Sequence, residues 1–245
     1  MVKMLLVLAL LGLGFAGAAS AASRFEKDVL VTSAGDLEIT FLGHGSLMMA
    51  FGGKTIHVDP YGEVADYGRL PKADLVLVTH DHYDHMCLES IGRIVRPDTK
   101  LFGGPTCAGK LRDAVIMKNG DARTVMGLRI EAVPAYNIVH KRPDGGPWHP
   151  KGDGNGYIVT FGDKRVYIAG DTENIPEMKD IKDIDIAFLP MNLPYTMTPE
   201  MVAEAAGWIR PKILYPYHFG DTDTSALISL LEKHKDIEVR IRKLS

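Results

Sequence analysis

Leu75-Val76-Leu77-Val78-Thr79-His80-Asp81-His82-Tyr83-Asp84-His85 decides how this chain is read. The four apolar residues that open it predict a short strand buried on both faces. The next residues, His80 to His85, carry three imidazoles and two carboxylates. So dense a polar cluster at the end of a buried strand makes a poor solvated loop. It makes a good metal site, because imidazole and carboxylate are ligands of borderline divalent ions. His80 and His82 are spaced to face one ion, and Asp84 and His85 to face a neighbour. A catalytic ion takes about three protein ligands and keeps one position open, so the run points to two ions.

The same grammar extends outward. Leu37 to Phe41, Ser46 to Phe51 and Thr55 to Val58 read as strands, with Gly52-Gly53 as a hairpin turn. Helices are expected at about Leu88 to Val95, before Pro97, and at about Thr106 to Met117. Leu128 to Val133, Gly156 to Phe161, Arg165 to Ala169, Ile184 to Leu189 and Lys212 to Tyr215 read as strands of a second half. Pro199 to Ile209 is a helix capped by Thr198, Ser225 to Lys235 another, and Ile237 to Ile241 a closing strand. Two β-rich halves with helices predict an α/β architecture of two mixed sheets packed face to face, helices on the outer faces.

Two more strand ends carry metal-binding side chains: Asp171 in Ala169-Gly170-Asp171-Thr172 and His218 in Tyr215-Pro216-Tyr217-His218. Strand ends hold a side chain rigidly while the following loop stays open to a ligand. His80, His82, Asp84, His85, Asp171 and His218 make six candidates, and a binuclear site wants one more His. Asp171 suits a bridge between cations. The loop 136–152 offers both His140 and His149, and composition leaves the choice open. Asp59 suits an acceptor that orients a ligand His. His44 is a turn residue or a pocket wall, and His57, alternating with apolar neighbours, is structural. Asn192, Tyr195 and Lys151 lie near the expected site as substrate contacts or plain loop residues.

Bulk properties set limits. With 46% hydrophobic and 24% charged residues the 245-residue chain suits a globular protein with a sizeable core. A formal charge of −3 supplies no basic footprint for nucleic acid. Residues 1–21 read as a secretory signal: Lys3, an apolar stretch from Met4 to Phe15, and the cleavage pattern Ala19-Ser20-Ala21. The apolar core is shorter than the ~20 residues of a spanning helix, so no membrane anchor is expected after cleavage. Residues 22–245 then form one exported domain, periplasmic or extracellular. Cys87 and Cys107 are read as small buried residues, with pairing left open.

His80-x-His82-x-Asp84-His85, Gly170-Asp171-Thr172 and Tyr217-His218-Phe219-Gly220, in that order, resemble the metallo-β-lactamase-fold superfamily of hydrolases. The resemblance spans nearly all of the exported part and implies an αββα four-layer sandwich. Phe41-Leu42-Gly43-His44-Gly45-Ser46, Val58-Asp59-Pro60-Tyr61 and Tyr195-Thr196-Met197-Thr198 are most similar to small stand-alone metal-dependent hydrolases. Ala135-Tyr136-Asn137 with His149-Pro150-Lys151-Gly152 resembles their third-ligand loop and favours His149. Relatives of that kind include sugar-phosphate lactonases and a phospholipase D acting on N-acylated lipids, so the resemblance implies no single substrate. Antibiotic-hydrolysing β-lactamases lack the bridging Asp that Asp171 matches, which lowers that reading.

The expected function is binuclear metal-dependent hydrolysis of an ester, lactone or phosphodiester in a small molecule. A metal-bridging hydroxide is the nucleophile, and Asp84 orients it or takes up a proton. Zinc is the first choice of ion, with manganese or iron open because the set holds two carboxylates and no thiolate. A metal-dependent binding protein without turnover is the alternative from another class. A β-lactamase and a redox diiron protein follow.

Overall fold

The chain was analysed as a computed structural model that describes residues 25–244. The segment read as a secretory signal lies outside them. The first sheet has seven strands in sequence order: β1 (Lys27–Thr32), β2 (Gly35–Gly43), β3 (Ser46–Phe51), β4 (Lys54–Val58), β5 (Leu75–Val78), β6 (Lys100–Gly103) and β7 (Val115–Ile116). The second has seven more: β8 (Ala122–Val125), β9 (Leu128–Ala135), β10 (Gly154–Phe161), β11 (Lys164–Ile168), β12 (Ile186–Pro190), β13 (Ile213–Tyr217) and β14 (Glu238–Val239). In each sheet the first four strands are antiparallel and the remainder parallel. Both sheets are therefore mixed, as the sequence predicts.

Strand alternation explains the layers. Leu75 and Leu77 of β5 belong to the core between the sheets, whereas Val76 and Val78 belong to a second cluster with Ile91 and Ile94 of helix α1 (Leu88–Ile94). A strand covered on both faces has no polar position, which is why Leu75 to Val78 is wholly apolar. Rings cross the gap between sheets: Phe41 lies 5.1 Å from Tyr215, and Phe51 lies 5.3 Å from Phe161. The Tyr157 hydroxyl donates to the Val78 carbonyl at 2.9 Å, joining β10 to β5 across the gap. Helices α2 (Pro199–Ile209) and α3 (Thr224–Leu231) bury Val202, Ala206, Leu227 and Leu231. Thr198 caps α2, its hydroxyl accepting from Met201 N at 3.2 Å.

The structure departs from the sequence reading locally. Residues 106–117 form no helix. A 3-10 turn at Pro105–Cys107 is followed by left-handed residues, Gly109 at φ 74° and Asp113 at φ 60°, which stop helical propagation. Strand β1 is absent from the sequence reading, because its exposed edge position leaves Lys27-Asp28-Val29-Leu30-Val31-Thr32 without a clean apolar face. The closing strand shrinks to Glu238–Val239, and α3 ends at Leu231. Cys87 and Cys107 are both free, Cys107 buried and Cys87 half-buried.

Candidate metal centre

Parallel strands that run the same way deliver their C-terminal ends to one edge of the sandwich. β4 leads into Asp59, β5 into His80 to His85, β11 into Asp171 and β13 into His218. The turn between β2 and β3 adds His44. His44, Asp59 and His218 have φ of 53°, 43° and 48°, the left-handed conformation that side chains rarely adopt. Such strain, held by its surroundings, concentrates at functional sites. Gly170, at φ 67°, sets the turn before Asp171; a Cβ there would lie 2.8 Å from the Asn155 carbonyl.

Six of the expected ligand side chains form two groups that share Asp171 with its carboxylate between them. Ligand atoms of His80, His82 and His149 lie within 4.8 Å of one another, as do those of His44, Asp84, His85 and His218. Asp171 faces both: Oδ1 is 3.3 Å from His85 Nε2, and Oδ2 is 3.3 Å from His149 Nε2 and 3.5 Å from His218 Nε2. Asp84 Oδ2 lies 3.4 Å from His218 Nε2 and 3.8 Å from His85 Nε2.

Hydrogen bonds behind the rings decide which nitrogen faces inward. Asp59 Oδ2 accepts from His85 Nδ1 at 2.9 Å and from the Thr79 hydroxyl at 2.7 Å. With the Thr79 proton spent on Asp59, its oxygen is an acceptor for His80 Nδ1–H at 2.9 Å. Asn137 Oδ1 accepts from His149 Nδ1 at 2.7 Å. These three rings therefore carry their proton on Nδ1 and turn an Nε2 lone pair inward, the tautomer a metal ligand requires. The Nε2 atoms of His80, His85 and His218 and Oδ1 of Asp171 are buried without a hydrogen-bond partner. Buried polar atoms are rarely left so, and four converging ones fit a bound metal cation.

Electrostatics agree. Burial disfavours ionised Asp171, but His218 and His85 hold its carboxyl well below the usual range. Burial also opposes ionised Asp84, outweighed by the rings of His218 and His44 beside it. His80 is driven well down by burial and then by His85, so its imidazole is neutral. Burial works against charge on His85, yet Asp171 and Asp59 raise it well above the ordinary imidazole value. The two carboxylates that face His85 thus favour positive charge at this point of the cluster.

The remaining candidates fall into place individually. His44 Nε2 is 3.0 Å from Asp84 Oδ2, so it holds that carboxylate as well as walling the cleft. Asn192 Nδ2 lies 3.5 Å from His218 Nδ1, and Tyr195 packs against Trp148 at 4.7 Å. Lys151 is not brought to the cleft: its ammonium pairs with Glu177 at 2.6 Å. His140 also stands apart, its Nδ1 2.7 Å from Glu173 Oε1. His57 is buried and bonded to the Pro71 carbonyl at 3.0 Å, and burial brings it down to about 4.

Sequence reading missed Glu173. This fully buried carboxylate accepts from the backbone of Ile138 and Val139 at 2.6 Å and of His140 at 2.7 Å, and from Asn137 Nδ2 at 3.2 Å. It ties the loop that carries Asn137, and through Asn137 it fixes His149. The only signal was an acid two places after Asp171. Thr79 and Asn137, the other two residues that orient ligand rings, lie inside the motifs around His80 and before His149.

Residues 38–218 match the family model described as a Beta-lactamase superfamily domain. The chain is 29% identical over 220 residues to a metal-dependent hydrolase of Pelotomaculum thermopropionicum, covering 84% of this chain and 96% of that protein. To another from Methanoculleus marisnigri it is 32% identical over 221 residues, covering 85% and 94%. A crystal structure from Parabacteroides distasonis, described as a metal-dependent hydrolase, aligns with a TM-score of 0.86 at 49% identity, over 90% of this chain and 100% of that one.

Proposed function

The chain belongs to the beta-lactamase superfamily of metal-dependent hydrolases, and from that premise we propose a binuclear hydrolase of small-molecule esters, lactones or phosphodiesters. His80, His82 and His149 would hold one divalent ion, and Asp84, His85 and His218 the other, with Asp171 between them. Zinc comes first, manganese and iron after it. The observation that carries this reading is the set of four buried, unpartnered ligand atoms on His80, His85, Asp171 and His218. When bound, such a pair supplies a water of pKa lowered toward ~7 and polarises the oxygen of the scissile group.

The chain's own groups supply direction. Asp59, Thr79 and Asn137 keep a proton on Nδ1 of His85, His80 and His149. Asp84, held ionised, would orient the attacking water through its carboxylate. His44 Nε2 holds the same oxygen from the side.

Metal-stripped protein reloaded with zinc, manganese or iron should hydrolyse, saturably, some member of a panel of esters, lactones, phosphodiesters and a β-lactam. Asp84→Ala should lose that turnover. Tight binding of these compounds without turnover under every ion would replace this reading with a binding protein. Export belongs to the same proposal. Mass spectrometry of protein from periplasm and medium should find a chain beginning near Ala22, and an intact Met1 confined to the cytoplasm would contradict it.

A further inference from the structure

Above the metal residues lies a cleft of about 450 Å³, a size that suits one small molecule. Beyond the cluster its lining is aromatic. Tyr61 meets Tyr83 edge to face at 5.6 Å, and Trp148 meets Tyr195 at 4.7 Å. Tyr83 is 71% and Tyr195 40% exposed, so the chain leaves these rings bare. Bare aromatic surface of this kind suits the apolar body of a ligand.

The lining contains a single fixed cation, Arg142. It starts a hairpin closed by the Lys141–Pro147 bridge, with Arg142 N donating to Gly146 O at 2.7 Å and Gly145 N to Arg142 O at 2.9 Å. The backbone there is pinned, but the guanidinium is not. Its nearest carboxylate oxygen, Asp144 Oδ1, is 3.9 Å from Nε and already accepts from Gly146 N at 2.9 Å. Among the described residues the Arg142 side chain makes no hydrogen bond to protein. Arg96, Arg165, Arg210 and Arg242, all away from the cleft, each donate to a carboxylate at 2.6–2.9 Å. A planar fork of unspent donors fits a carboxylate or phosphate.

We propose that Arg142 is the specificity residue of the cleft, binding the remote carboxylate or phosphate of a small ester whose apolar body rests on Tyr83, Trp148 and Tyr195. The cleavable bond rests on the hydrolase reading, whereas recognition of the anion rests on Arg142.

Trp148 reports on the cleft, since the other tryptophan, Trp208, lies on α2. In metal-loaded W208F protein, Trp148 fluorescence is followed against benzoylbutyrate, its phosphonate counterpart and its neutral primary amide. All three are aryl ketones with no ester bond at the place of the cleavable one. At least one anion should bind on the order of tenfold more tightly than the amide, the scale of one charge-assisted hydrogen bond. R142Q should erase that preference without changing affinity for the amide, and R142K should restore part of it. Equal binding of anions and amide, or a preference unchanged in R142Q, would overturn the assignment. The nitrophenyl esters of the same chains give the second arm. No hydrolysis with the anion preference intact would sink the ester form of the hydrolase reading and leave Arg142 standing. Hydrolysis indifferent to charge would do the reverse.

Discussion

Asp59→Asn tests how far the fold, beyond its metal-facing side chains, dictates metal binding. Asp59 is fully buried, and every group that points at its carboxylate is a donor. Thr79 N reaches Oδ1 at 2.7 Å, while the Thr79 hydroxyl at 2.7 Å and His85 Nδ1 at 2.9 Å reach Oδ2. A carboxylate accepts all three, but an amide has one accepting end. Turned one way, the new NH2 opposes Thr79 N–H and leaves a buried donor unpaired, costing about 1–3 kcal/mol. Turned the other way, it faces His85 Nδ1 and forces that ring's proton onto Nε2, the atom 3.3 Å from Asp171 Oδ1. A protonated Nε2 is no ligand. We expect metal affinity to fall about 10- to 100-fold, the usual effect of losing an orienting partner, which is about 1.4–2.8 kcal/mol. Titration against a chromophoric chelator reads the affinity, and thermal unfolding of metal-free protein reads the stability term separately. A folded Asp59→Asn protein that binds two ions as tightly as wild type would refute the tautomer reasoning.

Glu173→Gln replaces one of the two oxygens that serve five donors of the Asn137–His140 loop, so the His149 group should weaken first. Metal titration should then show one ion lost about 10- to 100-fold more easily while the other holds; two equally tight ions would contradict the latch. His57 gives a pH signature. Its folded value of about 4 lies below the ordinary 6.5, so between these pH values only the unfolded chain takes the proton and stability falls with acid. The loss is about 2 kcal/mol by pH 5. Chemical denaturation of metal-free His57→Gln should lack that part of the slope, and parallel curves for the two proteins would rule it out.

The legible parts of this protein are those whose information is local. His80 to His85 announce themselves because several ligands fall on one turn after a strand that has no polar position. Asp171 and His218 are legible once strand ends are recognised. The choice between His140 and His149 is not local. A buried acid far along the chain, Glu173, takes His140, and the Asn137 side chain takes His149. The 106–117 segment misleads for a related reason: its composition suits a helix, but left-handed Gly109 and Asp113 break the path. Arg142 gave no signal at all. An arginine in a polar loop is unremarked until a hairpin and an aromatic cleft surround it.

The central claim is two ions on either side of Asp171, and anomalous scattering from crystals of zinc-loaded protein tests it most directly. The account predicts two peaks, one among His80, His82 and His149 and one among Asp84, His85 and His218, with an Asp171 oxygen toward each. A single peak, or peaks away from these side chains, would contradict it.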